Sequence, residues 1–249
     1  MMTLQERRRG LLARAASAPP PVHGTWEDLF ARIADGTYAT AYSVGEILPL
    51  DLGTEGVVNA QIVAFNADDK ADNSGKAKIS FVSQYGCATT KTWNPARTPS
   101  STPYNEGTGS IGGWSKCTLR AYLIDTIKPL IPSEIRSRIV SVKKISRYFN
   151  TSDSVVRNGT SNEDIWAPSS YELGISSAST ESSGVKYTSV FTGDAARIKQ
   201  KNGGSAAIYW TRTAGNVSSN ISLVHSTGTA TYTGNPTTGR MVVFGFCID

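Results

Sequence analysis

Histidine is scarce in this sequence of 249 residues, which contains only His23 and His225. Neither belongs to a recognisable catalytic motif, because His23 follows a proline run and His225 sits at a predicted hairpin. The sequence also lacks the Gly-x-Ser-x-Gly pattern that presents a nucleophilic serine. With no general base beside a recognisable nucleophile, the sequence predicts a protein that is not an enzyme.

Cysteine is almost as rare, and its spacing excludes the usual metal motifs. Cys87, Cys117 and Cys247 are far apart, and an odd number of cysteines argues against a complete disulfide framework. Cys117 and Cys247 fall in apolar patterns of a helix and a strand. We therefore predict three buried thiols that act as small apolar side chains, and no metal site built on cysteine.

Long hydrophobic runs are missing as well. No apolar segment reaches the roughly 20 residues that would span a bilayer. The pair Leu11-Leu12 is too short for the apolar part of a secretion signal. We expect a protein made in the cytoplasm without a signal peptide, and with no membrane insertion.

Charged residues account for only 18% of the chain, and the net charge of +5 is unevenly distributed. Much of the positive excess comes from four arginines near the N-terminus: Arg7, Arg8, Arg9 and Arg14. Farther along, Lys143, Lys144 and Arg147 alternate with apolar residues, which predicts the exposed face of a strand. Because no basic groove with interleaved aromatics is evident, we predict no nucleic-acid partner.

One acidic segment could bind a cation. Asp68, Asp69 and Asp72 offer carboxylate oxygens of the kind that calcium prefers. Their spacing departs from the EF-hand loop, and Lys70 offsets part of their charge. A solvated turn is the favoured interpretation, and a calcium site is the alternative.

The chain divides into three parts: an N-terminal arm at 1–22, a helix-plus-sheet region at 23–110, and a C-terminal region at 111–249 that continues the same globular unit. The arm combines an amphipathic helical pattern with a stiff Pro19–Pro21 spacer. It predicts either a docking element or a disordered basic tail. A docking arm would use Leu4, Arg7, Arg8, Arg9, Leu11 and Leu12.

Beyond the arm, the patterns predict an α+β protein with two or three helices and short, twisted strands. Thr25 is a good N-cap for a helix that ends at Gly36. A second helix is predicted after Ser115, and a short one at 133–138. Strands are predicted at 42–52, 57–66, 77–83, 140–148, 165–166, 206–213, 218–225, 229–233 and 240–247.

A set of separated residues is typical of a structural framework: Trp114, Leu119, Arg120, Trp166, Tyr209, Trp210 and Arg212. The large aromatics border helices and strands, where such side chains are usually in the core. Arg120 and Arg212 are expected to pair with buried carboxylates or carbonyls. Tyr187 and Tyr232 are the better candidates for exposed contacts.

The framework motifs Trp114-x-x-x-x-Leu119-Arg120 and Tyr209-Trp210-x-Arg212 occur together with a glycine-bearing apolar last strand. With the segments at 34–38, 61–69, 74–77 and 164–169, they resemble an uncharacterised domain family of phage tail regions and gut-bacterial surface proteins. That family is similar, more distantly, to C-type-lectin-like folds. The resemblance implies a C-type-lectin-like C-terminal half and a tail-tip or fibre-end component of a virion.

The resemblance also implies recognition of a host surface through the C-terminal loops. The expected contacts, to a host glycan or protein, come from Asn216, Ser219, Asn220, His225, Tyr232 and Asn235. Such side chains combine adaptable hydrogen bonds with a rigid aromatic contact. Other virion proteins would bind the arm, and a homotrimer or higher homo-oligomer would suit tail symmetry. The alternative is a purely structural virion component, in the neck, baseplate or capsid decoration, without a receptor.

Overall fold

A computed structural model of the protein describes residues 24–94, 113–150, 153–175, 181–217 and 220–249. Three groups of predicted site residues lie outside this description: the docking-arm residues Leu4, Arg7, Arg8, Arg9, Leu11 and Leu12; Ser219; and the side chain of Tyr232.

The helices are short. In the described residues they are α1 (Trp26–Asp35), α2 (Tyr38–Ala41), α3 (Thr118–Tyr122), α4 (Lys128–Leu130), α5 (Ser133–Arg136) and α6 (Asp194–Arg197). Two 3₁₀ turns, at Gly53–Glu55 and Gly113–Lys116, and a π-helical turn at Leu123–Ile127 accompany them. None of the helices in this part of the chain has the length and apolar character to cross a membrane.

The first helix forms as its sequence predicts. The Thr25 hydroxyl accepts a hydrogen bond from the Asp28 amide at 3.1 Å, and Gly36 ends α1 with a φ of 80°. Leu29 and Ile33 are buried on its inner face. The second predicted helix is more irregular, since α3, the π-helical turn and α4 follow one another from Thr118 to Leu130.

Strands make up most of the regular structure. They are β1 (Ile47–Leu48), β2 (Ala60–Phe65), β3 (Ile79–Ser83), β4 (Thr90–Lys91), β5 (Ile139–Val140), β6 (Val142–Asn150), β7 (Val155–Glu163), β8 (Ile165–Trp166), β9 (Tyr209–Ala214), β10 (Ile221–Val224), β11 (Ala230–Gly234), β12 (Arg240–Met241) and β13 (Gly245–Ile248). The prediction of a mixed protein with short strands is confirmed. The strand predicted at 42–52 is reduced to β1.

The first sheet joins the N-terminal and C-terminal parts of the chain. Its order is β1-β2-β3-β13-β5, and β8 also pairs with β13. The last strand therefore pairs antiparallel with β3, and Phe246 stacks on Phe81 with ring centroids 5.1 Å apart. Strands from the predicted ranges 23–110 and 111–249 thus share one sheet and one hydrophobic core.

The second sheet has the order β11-β10-β9-β12-β4 and contains the predicted C-terminal hairpins. Successive strands β9, β10 and β11 are antiparallel. The segment that follows β9 and the turn at 235–239 therefore lie at one end of these strands, and the turn at 225–229 lies at the other.

The turn at 225–229 is packed against α6. The predicted tight hairpin is confirmed, since the His225 amide donates to the Thr229 carbonyl at 2.8 Å. Gly228 has a φ of 84°, and a Cβ built there would lie 1.7 Å from the Asp194 carbonyl oxygen. Glycine is therefore required both by the backbone conformation and by the close approach of α6.

The strands β6 and β7 form a separate two-stranded hairpin with nine residues on each side. The sequence predicts β6 but not β7. It also predicts that Lys144 and Arg147 face solvent, and this is wrong: both are buried, with 2% and 7% of their surfaces exposed. Val142, Lys144 and Ser146 are all buried at alternate positions, so β6 turns this face towards the protein interior.

Candidate functional site

A pocket of about 400 Å³ opens beside the β6–β7 hairpin. Its walls come from the turn at 67–69, from Lys143–Ile145 on β6, and from the segments at 169–172 and 183–185. The volume is within the range of sites that bind small molecules or single sugar residues, roughly 300–1,000 Å³. The pocket is the candidate functional site because charged side chains converge at its floor.

Lys144 is the centre of the floor. Its Nζ lies 2.6 Å from Asp68 Oδ1, 2.9 Å from Glu172 Oε1 and 2.8 Å from the Tyr187 hydroxyl. The ammonium group also lies 3.8 Å from the centroid of the Trp166 ring. These contacts use all three N–H donors of the lysine.

Arg212 completes the cluster from β9. Its guanidinium donates to Glu172 Oε2 at 2.5 Å and to the carbonyls of Ala167 and Ile145 at 2.9 and 3.1 Å. The prediction that Arg212 pairs with a buried carboxylate or carbonyl is confirmed. We call Asp68, Lys144, Glu172, Tyr187 and Arg212 the ion cluster.

The charges of the ion cluster hold each other in the ionised state. Burial opposes ionisation of Asp68, but the adjacent Lys144 ammonium outweighs it and lowers the pKa of the carboxyl. Burial would likewise lower the pKa of Lys144, yet the charges of Asp68 and Glu172 raise it. The pKa of Glu172 is lowered because Arg212 and Lys144 together overcome its burial. Two cations and two carboxylates therefore form a neutral buried group.

Glu181 fixes the segment that closes one side of the pocket. Its carboxyl accepts hydrogen bonds from the Thr213 hydroxyl at 2.8 Å and from the Arg147 amide at 3.3 Å. Burial raises the pKa of Glu181 in spite of the nearby Arg212 charge. Segment 181–185 is thus attached to both β6 and β9.

The rim of the pocket is polar and partly exposed. Lys76 pairs with Asp69 at 2.9 Å, and Lys143 donates to the Asn73 side chain. Thr160 is exposed on β7, and Tyr171 is half-buried. A ligand in the pocket would therefore meet hydroxyl and amine groups around its edge and an aromatic ring on one wall.

The charged groups of the pocket floor are paired with one another in the described residues. Lys144 and Arg212 are paired with carboxylates, and no group of three or more His, Cys, Asp or Glu residues in the described ranges could hold a metal ion. The three cysteines are buried as predicted, and burial raises the pKa of each thiol, so the reactive thiolate is disfavoured.

The acidic segment matches the predicted solvated turn only in part, since Asp69 and Asp72 are exposed. Asp68 is buried in the ion cluster and is not part of a solvated turn, so that prediction is wrong for this residue. Asp69 pairs with Lys76 at the surface, and the Asp72 carboxylate accepts from the Ser74 amide. The three carboxylates are engaged with different partners and do not converge as calcium ligands would.

The other framework predictions are confirmed. Trp114, Trp166, Trp210, Tyr209 and Leu119 are buried. Arg120 pairs with the buried Glu163 at 2.9 Å. The prediction for Tyr187 is wrong, because its ring is buried and its hydroxyl donates to Asp68 Oδ2 at 2.8 Å.

The structure separates the predicted receptor contacts into two places. Asn216 and Asn220 belong to the turn after β9, and Asn235 belongs to the turn after β11, at the same end of the strands. His225 lies at the opposite end of β10, about 13 Å away at ~3.3 Å per residue. The Asn216 side-chain oxygen accepts a hydrogen bond from the Arg147 guanidinium at 2.6 Å. Arg147 follows Ile145, which lines the pocket, by two residues on β6.

Sequence reasoning missed most of the ion cluster, although two local signals pointed to it. Lys144 lies two residues after Val142 on β6, so both side chains are on the same, inward-facing side of the strand. Ser169 and Glu172 form a reciprocal Ser-x-x-Glu pair, with the Ser169 amide 2.9 Å from Glu172 Oε2. The partnership of these residues with Asp68 depends on tertiary contacts that neither signal reveals.

No curated protein matches this chain, and no solved structure matches it either. The family described as "Domain of unknown function (DUF6273)" matches residues 96–242. The match includes β5–β12 and the pocket walls on β6, at 169–172 and at 183–185, and it covers more than half of the 249 residues. The chain therefore belongs to the DUF6273 family.

Proposed function

We propose that this member of the DUF6273 family is a non-catalytic recognition protein of the virion surface that attaches a phage to its host. Its C-terminal half would have a C-type-lectin-like arrangement, and its ligand would be a glycan or protein of the host surface. The virion location and the lectin-like arrangement rest on the motif resemblance around Trp114 and Tyr209-Trp210. The family description names no function.

The observation that carries recognition is the polar pocket above an electrically neutral floor. Because the donors of Lys144 are all used within the cluster, the floor provides a fixed platform with no unpaired charge. Specific contacts would come from the rim, where Thr160, Lys143 and Tyr171 are accessible. A rigid base with adaptable polar groups at its edge suits reversible binding of a hydroxyl-rich ligand.

The turn after β9 extends this surface. Arg147 bonds to Asn216 at 2.6 Å and so connects that turn to the strand that lines the pocket. Asn235 is exposed at the same end of the second sheet. We propose that the pocket and these two turns form one binding surface, with His225 outside it. Individually weak contacts would become strong when several copies act together.

Binding of the purified chain to candidate host cells and to isolated cell-wall glycans tests this function. Thr160→Arg would fill the mouth of the pocket and is expected to reduce binding at least tenfold. Thr54→Arg is the matched control, because Thr54 is exposed on the 3₁₀ turn at 53–55, outside the pocket lining. Equal binding by both variants would exclude the pocket as the receptor site.

The same experiment distinguishes receptor binding from the alternative, a purely structural virion component. A chain that assembles into particles but binds neither cells nor glycans would support that alternative. Asn235→Ala and His225→Ala distinguish the two ends of β10, since only the first is expected to weaken binding. Loss of binding in His225→Ala alone would contradict the proposed surface.

A further inference from the structure

The contact between Lys144 and Asp68 combines features that a buried ion pair does not require. Both side chains are almost fully buried, and Nζ lies 2.6 Å from Asp68 Oδ1. The other oxygen, Oδ2, accepts hydrogen bonds from the Ser80 hydroxyl at 2.5 Å and the Tyr187 hydroxyl at 2.8 Å. A second carboxylate, Glu172, contacts the same Nζ at 2.9 Å.

We propose that Lys144 and Asp68 join in an intramolecular amide bond between Nζ and Cγ, formed by the folded protein itself with release of one water. The proposal concerns a covalent modification inside the scaffold, and it does not depend on the proposed receptor function.

The reacting groups have the arrangement that such a condensation needs. An amine nitrogen in hydrogen-bond contact with one carboxyl oxygen is held close to the carboxyl carbon, which favours attack when the partners are fixed by packing. The negative charge that develops on Oδ2 during attack would be stabilised by the Ser80 and Tyr187 hydroxyls. Both hydroxyls donate to that oxygen in the folded protein.

The protons and atoms balance without any other reactant. The starting pair is an ammonium with three hydrogens and a carboxylate. One proton passes along the contact from Nζ to Oδ1, which leaves a neutral amine to attack Cγ. Glu172 accepts a second proton from the nitrogen as the C–N bond forms and passes it to Oδ1, which returns Glu172 to its carboxylate form. Oδ1 leaves with both protons as water, and the amide nitrogen keeps one hydrogen.

The surroundings favour the product in two ways. Amide formation replaces two charges that are costly to bury with a neutral group. Asp68 and Lys144 also line the pocket, so the released water has a path to solvent while the bond itself stays shielded. Arg212 would remain paired with Glu172 after the reaction, so no carboxylate is left without a partner.

The mass of the intact, denatured full-length protein tests the proposal. We expect the wild-type chain to be lighter than its sequence by one water, and tryptic digestion to yield one branched peptide that joins the segments containing residues 68 and 144. Cleavage after Lys144 should be absent, because trypsin does not cut after an acylated lysine. A wild-type mass equal to the sequence mass, both fresh and after prolonged incubation, would overturn the proposal.

Variants identify the bond without relying on stability. Lys144→Met should restore the full sequence mass. Asp68→Asn should lose one ammonia in place of one water, because the leaving group changes. Lys199→Met keeps Lys144 and Asp68 intact and should retain the deficit. A water loss that persists in Lys144→Met would point to another source, such as a succinimide at Asp35-Gly36, and would contradict the assignment.

Discussion

Lys144 and Lys199 are buried to nearly the same extent, with 2% and 3% of their surfaces exposed, but their environments differ. Lys144 contacts two carboxylates and a tyrosine hydroxyl. Lys199 donates to the Ser83 carbonyl at 2.9 Å and lies 5.4 Å from the Phe191 ring, with no carboxylate within ion-pair distance in the described ranges. Burial is thus the same for the two lysines, and the partners differ.

This difference reverses the effect of burial on the two amines. Carboxylates raise the pKa of Lys144, whereas burial alone lowers the pKa of Lys199 to about 7. As a free amine, Lys144 is therefore a cation within a neutral cluster, whereas Lys199 is close to half-neutral at physiological pH. The partners of a buried lysine, and not its depth, decide its charge.

Removal of Asp68 would take away a carboxylate partner of Lys144 and make its environment more like that of Lys199. This change should have the largest effect on the free energy of unfolding. We expect Asp68→Ala to destabilise the protein by about 3–5 kcal/mol, because it leaves a buried ammonium with an incomplete set of partners. Urea unfolding at neutral pH measures this loss. Asp69→Ala is the matched control: its pair with Lys76 is exposed, so the change should stay within about 0.5 kcal/mol. Equal losses in both variants would contradict the comparison.

Removal of the Lys199 amine should change the free energy of unfolding in the opposite direction. We expect Lys199→Met to stabilise the protein by roughly 1–3 kcal/mol at pH 7, because it removes a buried polar group that lacks a counter-ion. Thermal and urea unfolding measure the gain. Lys201→Met, two residues away and exposed, should be neutral. Destabilisation by Lys199→Met would show that the amine is needed where it lies.

The third expected effect is a change in how stability depends on pH. The pKa of Lys199 falls from its usual 10.5 to about 7 on folding, so the unfolded chain binds more protons between these values. Stability linked to this group is therefore complete above 10.5 and is lost as the pH falls towards 7. The advantage of Lys199→Met should shrink steadily from about pH 7 to about pH 10. A constant difference across that range would mean that folding does not lower the pKa of Lys199.

The parts of this fold that depend on local chemistry were predictable from the sequence. Thr25 and Gly36 fix the ends of α1, and the turn at 226–228 forms the expected hairpin. The strand β7 was not predictable in the same way, because its alternating positions carry no apolar face. Only Gly159 and Glu163 are buried along it.

The candidate site was harder to predict because its contacts join distant segments. Asp68 and Lys144 are 76 residues apart, and Asp68 and Tyr187 are 119 apart. The alternation of residues along β6 could have predicted that Lys144 faces inwards, but it could not have identified the residues that Lys144 contacts. Lys199 has no local signal at all, since its bond to Ser83 spans 116 residues.

The close packing of Gly228 on α6 also bears on how this scaffold could be engineered. A side chain at Gly228 would collide with the Asp194 carbonyl, so a combinatorial library that varied the turn at 225–229 would consist largely of misfolded members. Asn235 is exposed in the turn after β11 and has no such obstacle. New binding specificities would therefore be sought at that end of the second sheet, with the hairpin at Gly228 kept as a fixed anchor.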